Sequence, residues 1–106
     1  MWQTIVSSDS LKNLFVNKEE LYEKLKEISE EIKFSFKFIK GLFLSSSFDL
    51  DLIIVVDKIP KEDFWNIYED LYNFIAEKID MGIDLLIIEE KEFNEKKEKF
   101  GKIVKL

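Results

Sequence analysis

Phe43-Leu44-Ser45-Ser46-Ser47-Phe48-Asp49-Leu50-Asp51-Leu52-Ile53-Ile54-Val55-Val56 is the most informative stretch of the chain. From Leu50 onward it holds the continuous, β-branched apolar run expected of a central strand covered on both faces, so a strand is expected over Phe48 to Val56. Upstream, Phe34, Phe36 and Phe38 alternate with Ser35 and Lys37. That period of two predicts a half-buried strand running on through Gly41 to Leu44, with Gly41 marking a bulge. The two strands are then joined by a short serine turn.

Amphipathic helices are expected on either side. Asn17 with Glu20 resembles a capping box and Val16 with Leu21 a hydrophobic staple, which starts a helix at Lys18. Leu21, Leu25, Ile28 and Ile32 form its apolar stripe. Ser10 to Val16 reads as a shorter helix before it. Pro60 suits a first turn, and Phe64, Tyr68, Leu71, Ile75 and Ile79 repeat at helical spacing up to a C-terminal cap near Gly82. Ile83 to Ile88 predicts a short strand, Glu89 to Lys99 a charged helix, and Lys102 to Leu106 an edge strand after Gly101. The expected architecture is α+β, a mixed sheet with helices packed against it.

Composition narrows the function. The chain has 106 residues, 46% hydrophobic and 36% charged, with three Gly and one Pro. This is the profile of one small folded domain over residues 1–106. Cys and His are both absent, which removes disulfide scaffolds, zinc fingers, thiol nucleophiles and imidazole acid–base chemistry. The net charge is −6 and every basic residue is Lys, so nucleic acid is a poor partner for this domain. The longest apolar run, Leu52 to Val56, is far too short for a membrane span, and MWQTIVSSDS lacks the features of a signal peptide, so a cytoplasmic protein is expected. Abundant Lys, Glu and Ile with a single Gln fits a thermophile, and low-GC codon usage fits equally. Lys96, Lys97, Lys99 and Lys102 are interleaved with Glu95 and Glu98 and read as a solvated face.

The acids within apolar strands carry the chemistry. Asp49 and Asp51 are two apart, which places both side chains on one face of an extended strand, and Asp84 interrupts Ile83-Asp84-Leu85-Leu86 in the same manner. Three carboxylates on neighbouring strands repel one another unless a divalent cation lies among them, and the cation expected is Mg²⁺. On that argument, replacing Asp49 and Asp51 by Asn stabilises the metal-free protein. The alternative is structural: the acids end a turn, with Asp49 accepting backbone N–H groups and Asp84 capping a strand.

The order of a hydrophobic strand, a serine turn, Asp-x-Asp, an amphipathic helix and Ile-Asp-Leu resembles the minimal nucleotidyltransferases of the DNA polymerase β-like superfamily, over roughly Lys33 to Leu106. Leu44-Ser45-Ser46 resembles the family's Gly-Ser segment with Ser45 in place of Gly. Asp49-Leu50-Asp51 matches its acidic pair, Asp84 its third carboxylate, and the closing FGKIVKL its final strand. The resemblance implies a nucleotidyltransferase-like fold in which Asp49, Asp51 and Asp84 are catalytic and bind Mg²⁺. It also implies that Ser45, Ser46 and Ser47 touch the phosphates of ATP or another NTP. It implies as partner a helical HEPN-type ribonuclease toxin, which some antitoxins of this kind silence by transferring AMP to a toxin tyrosine. The loop between Ser46 and Asp49 is shorter than in the family, which opens the alternative of a catalytically degenerate interaction module that binds a partner protein or pairs as a homodimer. Fifteen aromatic residues are a high load for so small a core, and Trp65 and Tyr72, seven apart on a helix, form a second face suited to contact.

Overall fold

A computed structural model of the chain describes residues 18–47, 49–80 and 82–106. The capping pair Asn17–Glu20, the staple from Val16 and the short helix over residues 10–16 depend on positions outside the described residues. The first described helix, α1 (Glu19–Ser35), buries Leu21, Leu25, Ser29 and Ile32 along one face. Then follow β1 (Ile39–Ser45), β2 (Leu52–Val56), α2 (Phe64–Ile79), β3 (Leu85–Glu89), α3 (Glu90–Lys96) and β4 (Ile103–Lys105). The architecture is α+β, with helices packed on a four-stranded mixed sheet in the order β3-β2-β1-β4. β1 runs antiparallel to β2 and to β4, while β2 and β3 are parallel. The parallel pair requires a crossover, and α2 supplies it.

All five residues of β2 are buried, because both faces of the sheet are covered. Leu52, Ile54 and Val56 face the larger core with Leu25, Ile32, Leu71 and Ile75 of α1 and α2. Ile53 and Val55 face a smaller core closed by Phe93 of α3. The period-two alternation of side chains thus feeds two hydrophobic layers from one short strand. The bulge expected at Gly41 is present: Ile39 opposes Val56 while Gly41 opposes Val55, which leaves Lys40 as the extra residue. A Cβ added at Gly41 would lie 3.0 Å from the Phe43 ring.

Several boundaries differ from the sequence reading, β3 among them, which begins at Leu85 and not at Ile83. Residues 34 and 35 are helical, because the stripe ending at the fully buried Ile32 keeps α1 in register through Ser35. Phe34 is exposed, and Phe36 turns in to pack edge-on against Phe74 at 5.4 Å. β2 begins only at Leu52, since residues 49–51 belong to the connection. α2 ends on Asp80, whose φ of 50° and ψ of 41° make it the left-handed cap in place of Gly82.

Candidate functional site

Asp51 and Asp84 immediately precede β2 and β3. With Leu52 opposite Leu85 in the parallel register, the two acids stand side by side where both strands begin. The N–H groups of Asp51 and Leu52 donate to the Asp84 carbonyl at 2.8 and 3.1 Å. The Asp84 N–H in turn donates to Asp51 Oδ2 at 2.9 Å. Asp51 therefore fastens the start of β3 to the start of β2, a structural role that the sequence reading assigns to Asp49 and Asp84. Asp49 lies exposed in the turn that follows the serines.

A cation already faces Asp51, and the chain provides it. The Lys18 ammonium, at the start of α1, is 3.1 Å from Asp51 Oδ1, and the two side chains are only 14% and 18% exposed. The same ammonium donates to the carbonyls of Ser45, Ser47 and Leu50 at 2.7, 2.6 and 2.7 Å. Its three N–H groups are thus matched by three carbonyls, and its charge by a carboxylate.

The serine turn is organised to serve this cation. The Ser45 N–H donates to the Asp51 carbonyl at 2.9 Å, and the Ser47 N–H donates to Ser45 Oγ at 3.0 Å. The Ser46 N–H and hydroxyl both donate to the Lys102 carbonyl, at 3.1 and 2.8 Å. Every backbone N–H of Ser45, Ser46 and Ser47 is used within the protein, while the carbonyls of Ser45 and Ser47 converge on positive charge. A phosphate cradle has the opposite polarity, with N–H groups directed at the anion.

Mg²⁺ takes near-octahedral oxygen ligands at about 2.0–2.1 Å. Four oxygens at 2.6–3.1 Å around the Lys18 nitrogen have the spacing of a hydrogen-bonded ammonium, and this arrangement does not fit Mg²⁺. Among the described residues no group of three Asp or Glu side chains is placed to hold a metal ion. The repulsion that led to an expected gain of stability from Asp49→Asn, Asp51→Asn is offset at Asp51 by Lys18.

Sequence reasoning missed Lys18, although a signal was present. A lysine at a helix N-terminus opposes the macrodipole, at a position that favours Ser, Thr, Asp or Asn. Lys18 holds that cap position of α1 and makes no side-chain cap hydrogen bond. Comparison of the chain with family models, with curated proteins and with solved structures gives no match.

Proposed function

We propose that this chain is a partner-binding module of nucleotidyltransferase-like build that does not itself transfer nucleotides. One observation carries the reading: the Lys18 ammonium fills the space beside Asp51 and draws the carbonyls of Ser45, Ser47 and Leu50 around it. The fold-level likeness is one of order, with a serine turn between two antiparallel strands and acids at the starts of β2 and β3. Mg²⁺-dependent transfer of a nucleoside monophosphate from ATP or another NTP, with pyrophosphate leaving, through Asp49, Asp51 and Asp84 would need Lys18 to leave its cage and the serine N–H groups to be freed. By the same resemblance the partner is a HEPN-type helical protein.

Calorimetric titration with MgCl₂ and ATP tests this. The expected outcome is no heat of nucleotide binding at millimolar ATP. Magnesium-dependent ATP binding that disappears in Asp51→Asn would overturn the module and restore the transferase.

A further inference from the structure

Trp65 is 71% exposed, and with Phe34 it is one of two large apolar side chains so exposed among the described residues. It does not stand alone. Its ring lies 5.2 Å from Phe64 and 5.8 Å from Tyr68, and Tyr68 stacks on Tyr72 at 6.3 Å. A row of aromatic rings therefore runs along α2, with Phe64, Tyr68 and Tyr72 also packed against the larger core and Trp65 as the exposed member.

At its N-terminal end the row forms one wall of an open groove of about 440 Å³, beyond the C-terminal ends of β2 and β3. Val56, Ile59, Ile87 and Ile88 provide its apolar lining. Glu89 and Glu92 add two carboxylates, and among the described residues Lys61 is the one cation of the lining itself. Glu89 Oε2 accepts the Ile59 N–H at 3.1 Å, which fixes that carboxylate at the end of β3. Glu92 Oε2 is held by Lys96 at 2.6 Å. Glu62, Asp63, Glu69 and Asp70 are all exposed on α2 and the turn before it.

An apolar floor, an exposed indole and fixed carboxylates together suit one kind of occupant. A long aliphatic stem covers the floor, and its cationic head meets the carboxylates and the indole face, where cation–π attraction adds to the charge. An anionic ligand would meet Glu89 and Glu92. A purely apolar one would strip water from both carboxylates without replacing it.

We propose that this groove receives a lysine- or arginine-bearing segment of a partner protein, its basic side chain laid along Trp65 with the head at Glu89 and Glu92. The proposal rests on the reading of the chain as a partner-binding module, and it names the surface.

The probe is a 15-residue amphipathic Leu/Lys peptide with blocked ends, compared with its Leu/Glu counterpart, and binding is followed by NMR on the full chain. The Leu/Lys peptide should bind at least about tenfold more tightly, with the largest shifts at the Trp65 indole and the methyls of Ile59 and Ile88. Trp65→Ala and the pair Glu89→Gln, Glu92→Gln should each weaken it by about tenfold, equivalent to about 1.4 kcal/mol. Trp65 is exposed, so its removal leaves the core intact, and the amide oxygen introduced by Glu89→Gln can still accept the Ile59 N–H; circular dichroism verifies both folds. Equal affinity for the two peptides, shifts centred elsewhere, unweakened binding by the variants, or self-association through the Trp65 face without peptide would each overturn the proposal. Magnesium and ATP added to the same samples separate the two readings. Nucleotide binding with the groove still occupied would remove the non-catalytic module and leave the groove; loss of peptide binding without nucleotide binding would remove the groove alone.

Discussion

Lys18→Met removes the ammonium while keeping a side chain of similar length, and its effect on stability has opposite signs under the two views of this residue. If Lys18 were a solvated lysine at a helix start, losing its charge would leave stability unchanged or raise it by about 0.3–1 kcal/mol, because a cation there opposes the helix dipole. In the caged arrangement, three carbonyls and the Asp51 carboxylate lose their shared partner. Breaking a fully buried pair by removing one member costs about 3–5 kcal/mol. The 14% and 18% exposure of this pair lets water recover part of that, so the cost should be about 2–4 kcal/mol. For a domain near 100 residues this lowers the melting temperature by at least about 8 °C. Thermal and urea melts followed by circular dichroism measure it. A double-mutant cycle with Asp51→Asn should show coupling of at least about 1 kcal/mol, since the two residues share one interaction. A melting temperature within about 2 °C of wild type, or above it, would refute the caged-ammonium argument.

Asp51→Asn alone should lower stability by about 1–3 kcal/mol in urea melts, because it removes the charge facing Lys18. Asp80→Gly should raise stability by about 0.5–1 kcal/mol, since φ of 50° costs an L residue what glycine adopts freely; thermal melting would show the gain. Gly101→Ala, at φ of 69° and ψ of −139°, should cost about 1–3 kcal/mol by the same measurement. Phe93→Ala should cost about 3–5 kcal/mol in urea melts, because its ring stacks at 5.0 Å on Phe43 and 5.9 Å on Phe100 and closes the smaller core.

Much of the fold was legible because its signals are local. The run Leu52 to Val56 requires cover on both faces, and it receives that cover from α1 and α2 on one side and α3 on the other. The stripe ending in Ile79 was likewise open to reading from spacing, and the bulge from a glycine inside an apolar strand pattern. The alternating phenylalanines misled because period two and the last turn of a helix overlap over five residues, and the buried Ile32 decided between them. At the candidate site, the neighbouring strands that carry Asp51 and Asp84 were legible, whereas the link between the two residues runs through backbone groups and the Asp51 carboxylate rather than through a shared cation. The cation beside them did not follow, because Lys18 is far from Asp51 in sequence and its carbonyl partners carry no signature in side-chain type. Asp80 in place of Gly82 was hidden for a related reason, since an Asp in the left-handed region looks in sequence like any surface acid.

Whether the ammonium of Lys18 stays in its cage when a metal and nucleotide are offered decides between a non-catalytic module and a transferase. NMR of the ¹⁵N-labelled lysine ammonium groups observes it directly. At low temperature and mildly acidic pH, Lys18 should give a sharp ammonium signal protected from exchange, distinct from the solvated lysines, and millimolar MgCl₂ with ATP should leave it unmoved. A Lys18 signal that exchanges like the solvated lysines, or one released into that pool on adding magnesium and ATP, would contradict the account.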